Sequence, residues 1–85
     1  MPVEQSSRYG TNQTVVASFL VYVGFEIVEL KWEFGVCTFH FKDSKQLREQ
    51  LMNFVNGEAL VEPQGFNNAF TQVRKRMFDA KDEQK

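Results

Sequence analysis

Cys37 and His40, the one thiol and the one imidazole of the chain, stand three residues apart, a spacing that invites a search for a metal site or a thiol–imidazole couple. The segment around them alternates at a period of two, and on a strand residues three apart project to opposite faces. The two side chains therefore do not share an ion, and a structural zinc needs four ligands. Cys37 is expected in the core. His40 is expected on the outer face of a hairpin, opposite Glu29. A carboxylate there favours the imidazolium form, although an exposed cross-strand pair of this kind contributes only a few tenths of a kcal/mol. The serines add no nucleophile. Ser6 and Ser7 lie in a polar N-terminal run, Ser18 falls on a buried-looking helix, and none occupies a strained turn. The five glycines are scattered singly, so no loop cradles a phosphate. With no nucleophile and base brought together, the chain reads as non-enzymatic, with no cofactor or metal and no small-molecule substrate implied.

The run Arg74-Lys75-Arg76 is the other chemical candidate. Phe66, Phe70, Val73 and Met77 form the apolar stripe of the same helix. A rotation of about 100° per residue then sends Lys75 outward and the two arginines to opposite shoulders. Lys75 is placed to pair with Asp79 four residues on, and a solvated helix end is the plainer reading. The alternative is a phosphate-contacting patch of Lys42, Arg48, Arg74 and Arg76, with Lys45 nearby, which requires the second helix to lie beside the third. A net charge of −1 and a pI near 5.8 provide no long-range attraction to nucleic acid or anionic lipid, so any anion contact is local.

The elements that position these residues follow from periodicity. Residues 1–10 are polar and read as a flexible arm. Thr11 or Asn12 offers a cap for a helix over 12–23, with Val15, Val16, Phe19, Leu20 and Val23 on one face and Gly24 as its stop. Between residues 25 and 41, Val28, Leu30, Trp32 and Phe34 form one apolar set, and Cys37, Phe39 and Phe41 another. A turn about Phe34 and Gly35 brings Trp32 opposite Cys37, Leu30 opposite Phe39 and Val28 opposite Phe41, a hairpin with one apolar face. Asp43 and Gln46 have capping-box spacing ahead of a second helix over 44–56, and Pro63 opens a third over 63–80. Residues 81–85 form a charged tail. The expected fold is α+β: an N-terminal helix, a two-stranded antiparallel hairpin, then two helices packed on one face of the hairpin, in a single domain over 11–80.

At 85 residues only one core is possible, and a lone hairpin is marginal until helices cover it. A single cysteine excludes an internal disulfide and suits a reducing compartment, so a cytoplasmic location is expected. The apolar stretch from Val15 to Phe25 is too short to span a membrane. It lacks the small-residue cleavage motif of a signal peptide and leads straight into the strands.

Phe19-Leu20 through Gly24-Phe25, Thr38-Phe39-His40-Phe41, Phe54-Val55-Asn56-Gly57-Glu58-Ala59 and the Phe66, Phe70, Arg74, Phe78 spacing resemble a family of short domains of unknown function encoded mainly in phage and prokaryotic genomes. The resemblance covers about residues 14–80. It implies a phage or prokaryotic setting, with a host cytoplasmic location if phage-encoded, and carries no catalytic residue to this chain.

Nine Phe, two Tyr and one Trp exceed what so small a core ordinarily uses. Tyr22, Val21, Ile27, Val36 and Phe78 fall off the main apolar faces as drawn. They either complete the core or form an exposed patch beside an open strand edge. The leading expectation is a small binding or assembly module that forms a homodimer, with Tyr22, Ile27, Val36 and Phe78 as candidate self-association residues. A nucleic-acid accessory protein using the basic patch is the alternative.

Overall fold

The computed structural model describes residues 7–83. In chain order the elements are β1 (Arg8–Thr11), α1 (Thr14–Tyr22), β2 (Ile27–Glu33), β3 (Val36–Lys42), α2 (Lys45–Val55) and α3 (Pro63–Glu83). The strands form one antiparallel sheet in the order β1-β3-β2, so the expected α+β class holds with a third strand added to the hairpin. The shortest principal extent is 19 Å, the thickness of one sheet and one helical layer.

The first correction is β1: its residues Arg8, Tyr9 and Gly10 fall within the segment read as an arm, of which residues 1–6 lie outside the described residues, and its fourth, Thr11, is one of the two expected caps of the first helix. Tyr9 pairs with Phe41 and Thr11 with Phe39, while Arg8 and Gly10 face outward with Lys42 and His40. Two inward side chains are too few to register as a periodic pattern. Gly10 looked like a loop signal and instead permits close approach: a Cβ there would lie 3.2 Å from His40 Cε1.

The second correction is the start of β2. Trp32 pairs with Cys37 and Leu30 with Phe39 as expected, but the register shifts between Ile27 and Glu29, and Phe41 meets Ile27 in place of Val28. The extra residue is Val28. This bulge turns Ile27 inward, leaving it 7% exposed, and leaves Val28 48% exposed on the outer side, reversing the roles that simple alternation assigned them.

Inward residues of β3 (Cys37, Phe39, Phe41) and Ile27 form the floor of one core, and Ala17, Phe19, Leu20, Leu47 and Val73 form its roof. In α1, four consecutive residues, Ala17 to Leu20, are buried because the helix lies between α2 and α3; Phe19 stacks on Phe54 of α2 at 4.7 Å. Ser18, fully buried, donates to the Thr14 carbonyl, so no polar group is orphaned there. The end of α1 is a Schellman motif: Phe25 N–H donates to the Leu20 carbonyl and Gly24 N–H, at φ 110°, to that of Val21.

Helix starts differ in detail from expectation. Ser44, not Asp43, caps α2, its Oγ accepting from the Leu47 amide at 3.0 Å. Glu62 caps α3 by accepting from the amides of Gln64 and Gly65. That helix continues to Glu83, taking in the first residues of the expected tail. No helix among the described residues is long and apolar enough to cross a membrane.

Candidate interaction surfaces

The four candidate self-association side chains, Tyr22, Ile27, Val36 and Phe78, occupy different environments. Ile27 is core. Tyr22 is docked within the molecule: its hydroxyl accepts from the Glu62 amide at 2.9 Å and its ring tilts against Phe66 at 6.3 Å, tying α1 to the start of α3. Val36 and Phe78 remain about half exposed. Arg74 lies over the rings of both Phe78 and Phe70, at 5.6 and 5.8 Å, so its guanidinium already covers part of that aromatic surface.

The most exposed aromatic is one the alternating pattern placed inside. Phe34 occupies the β2–β3 turn at φ 53°, followed by Gly35 at φ 78°. Two consecutive left-handed residues match the twist of a tight hairpin, but the first position favours Asn, Asp or Gly, and a bulky residue there is strained. Phe34 is fully exposed at the tip of the hairpin. One signal was available in the sequence, since a residue expected to make the turn leaves the alternation of its strand. Behind the tip, Trp32 is anchored by its Nε1–H to the Met77 carbonyl, with the Lys81 ammonium 5.3 Å from its ring. A second exposed apolar area lies where α2 leads into α3, at Val55 and Leu60.

A groove of about 370 Å³ opens where α1 ends, β2 begins and α3 crosses. Val21, Phe25, Ile27 and Val73 supply its apolar lining, and Glu26, Gln72 and Arg76 its polar groups. The bulge is what places Ile27 in this wall, so no local pattern foretold it. Arg76 also borders a smaller recess with Leu30 and Asp79.

The basic residues do not converge. Arg48 makes a two-pronged pair with Asp43, at 2.9 and 2.8 Å, and lies over the Tyr9 ring at the β1 edge. Its two hydrogen bonds, chiefly, hold the Asp43 carboxyl below its ordinary range. Lys42 is exposed at the end of β3 on the outer face, in register with Arg8. Arg76 stands beside the opposite edge strand, β2, and Arg74 lies on its own helix's phenyl rings. The helix that contacts both α2 and α3 is α1, so the patch extending from α2 to α3 does not form.

The expected Lys75–Asp79 pair is absent: among the described residues the ion pairs are Arg8–Glu29 and Arg48–Asp43. Glu29 does face His40 in the register, yet its carboxylate is engaged by Arg8 reaching across from β1. Cys37 faces the core, where burial pushes its thiol pKa up, while His40 lies on the outer face. Among the described residues no three His, Cys, Asp or Glu cluster as metal ligands. Ser7 borders a shallow recess with Asp43, Lys45 and Arg48, and Ser6 lies outside the described residues.

A family model described as a domain of unknown function (DUF5659) matches residues 6–79, nearly the whole chain, and the chain belongs to that family. Neither the curated proteins nor the solved structures give a match.

Proposed function

We propose that this member of a family of unknown function is a non-enzymatic binding and assembly module that works by self-association. The carrying observation is Phe34, a fully exposed phenyl ring held at a left-handed turn position. Its placement costs solvation and backbone strain, and folding of the monomer recovers neither. Burial against a second chain recovers the first. A two-fold homodimer is the simplest assembly for a chain that also leaves β2 as an open edge. The supporting observations narrow the participating surface from Tyr22 and Ile27, which serve the fold, to the hairpin tip with Val36, and to Phe78 on α3.

The setting we assign is a prokaryotic or phage one, in a reducing cytoplasm, where a lone buried thiol stays unpaired. Nucleic-acid binding through Lys42, Arg48, Arg74 and Arg76 has less support, because Arg48 by edge strand β1 and Arg76 by edge strand β2 stand on opposite sides of the sheet, Arg74 lies on its own helix's phenyl rings, and Arg48 is already bonded to Asp43. Light scattering over a concentration series from low to high micromolar tests the main reading. A mass rising from one chain to two is the expected result, and a strict monomer throughout refutes it. A labelled-DNA and labelled-RNA titration at low salt, where phosphate contacts are strongest, is expected to give no binding; saturable binding there would favour the other reading.

A further inference from the structure

We infer that the hairpin tip of one copy seats in the groove of another, with Phe34 entering between Val21, Phe25, Ile27 and Val73 and Glu33 meeting Arg76. The inference rests on the self-association reading and names the two surfaces that meet. A fully exposed phenyl ring and a groove of about 370 Å³, lined by both apolar and polar side chains, are the knob and the hole of a single chain. The groove lies within the size range of about 300–1,000 Å³ that encloses small ligands, ample for one aromatic side chain with its turn.

The knob does not reach its own hole. The seven residues of β2 separate Phe34 from the groove wall at Ile27, up to about 23 Å of chain at about 3.3 Å per residue, and pairing with β3 from Glu29 to Glu33 keeps the tip extended away from it. The ring must come from a second copy. Reciprocal insertion closes the pair about a two-fold axis, each tip filling the other's groove, with nothing left over to propagate.

Charge fits as well as shape. The groove carries one cation and one anion, Arg76 and Glu26, and neither has an ion partner among the described residues. The strand leading to the tip carries Glu33 next to Phe34 and Lys31 two residues behind, both exposed. Asp79 follows Arg76 by three residues without forming an ion pair to it, so the guanidinium remains available.

The test is sedimentation equilibrium on the full chain and four variants, each checked for unchanged far-UV circular dichroism: F34S, E33K, R76E and the double variant E33K/R76E. All three positions are exposed, so the fold is expected to survive. F34S should raise the dimer Kd by about thirtyfold or more, as the loss of a central aromatic anchor does. E33K and R76E should each weaken the dimer several-fold, and the double variant should return to within about threefold of the parent, since restored opposite charges recover the coupling. A parent that stays monomeric overturns the self-association reading and this inference together. A parent dimer indifferent to F34S overturns the inference alone. A dimer that needs Phe34 but shows no compensation in the double variant overturns the groove as its seat.

Discussion

The indole Nε1–H of Trp32 donates to the main-chain carbonyl of Met77 across 3.1 Å, joining β2 to a helix 45 residues later in the chain. This bond holds the last turns of α3 against the base of the hairpin tip, and Lys81 completes the site by lying over the indole face. Residues that the sequence separates widely are thus brought together behind Phe34.

Replacing that indole with a phenyl ring keeps an aromatic body and removes the donor. W32F should lower unfolding stability by about 1 kcal/mol, the net value of one such bond, with some added loss of packing. Urea denaturation followed by circular dichroism measures it, because the substitution removes the only tryptophan fluorophore. An unchanged midpoint would mean that α3 is not fastened there.

The bulge in β2 predicts an asymmetry between neighbours. I27A should cost about 2–4 kcal/mol, the range for truncating a buried isoleucine, whereas V28T should stay within about 0.5 kcal/mol. Uninterrupted alternation predicts the reverse order. Comparing the two urea midpoints under identical conditions decides between the registers.

Phe34 sets stability against assembly. Because Asn adopts left-handed dihedrals at lower cost than Phe, F34N should raise the stability of the monomer by about 0.5–1 kcal/mol while weakening the dimer. Thermal unfolding at a concentration below dimer formation reads the first effect, and sedimentation reads the second. A less stable monomer would show that the phenyl ring is supported within its own chain.

Asp43 gives the fold a pH-dependent contribution of known sign. Arg48 depresses the folded-state pKa, so the pair's contribution is present above the unfolded aspartate value, about 3.9, and is lost as pH falls through the lowered one. The stability difference between the parent and D43N should therefore be level from pH 7 to about pH 5 and shrink toward zero in stronger acid. Arg48 is more than half exposed and Asp43 only partly buried, so solvent screens the pair and the difference will be small. In an R48A background most of that pH dependence should disappear, leaving the smaller part due to the Ser44 backbone amide, and a pH dependence undiminished there would assign the effect to another group.

Local patterns in the sequence determined a good part of this molecule. Phe66, Phe70, Val73 and Met77 repeat along a helix, Asn56-Gly57 and Pro63 punctuate the chain, and the pairing of Trp32 with Cys37 and Leu30 with Phe39 follows from a turn at Phe34 and Gly35. All of these depend on residues close in sequence, where periodicity and turn chemistry suffice. Tertiary structure decided the rest. Strand β1 exists because Tyr9 and Thr11 find Phe41 and Phe39 some thirty residues away; the four-residue segment carries no periodic signal of its own. The exchange of Ile27 for Val28 comes from the bulge in the β2–β3 pairing, and the groove that Ile27 lines needs α1, β2 and α3 together. Spacing alone placed Arg48 and Arg76 in a common patch on the condition that two helices be neighbours, and α1 between them removes that condition. A side chain's type and rhythm say that it seeks burial or water, while which surface receives it is set by the whole chain's packing.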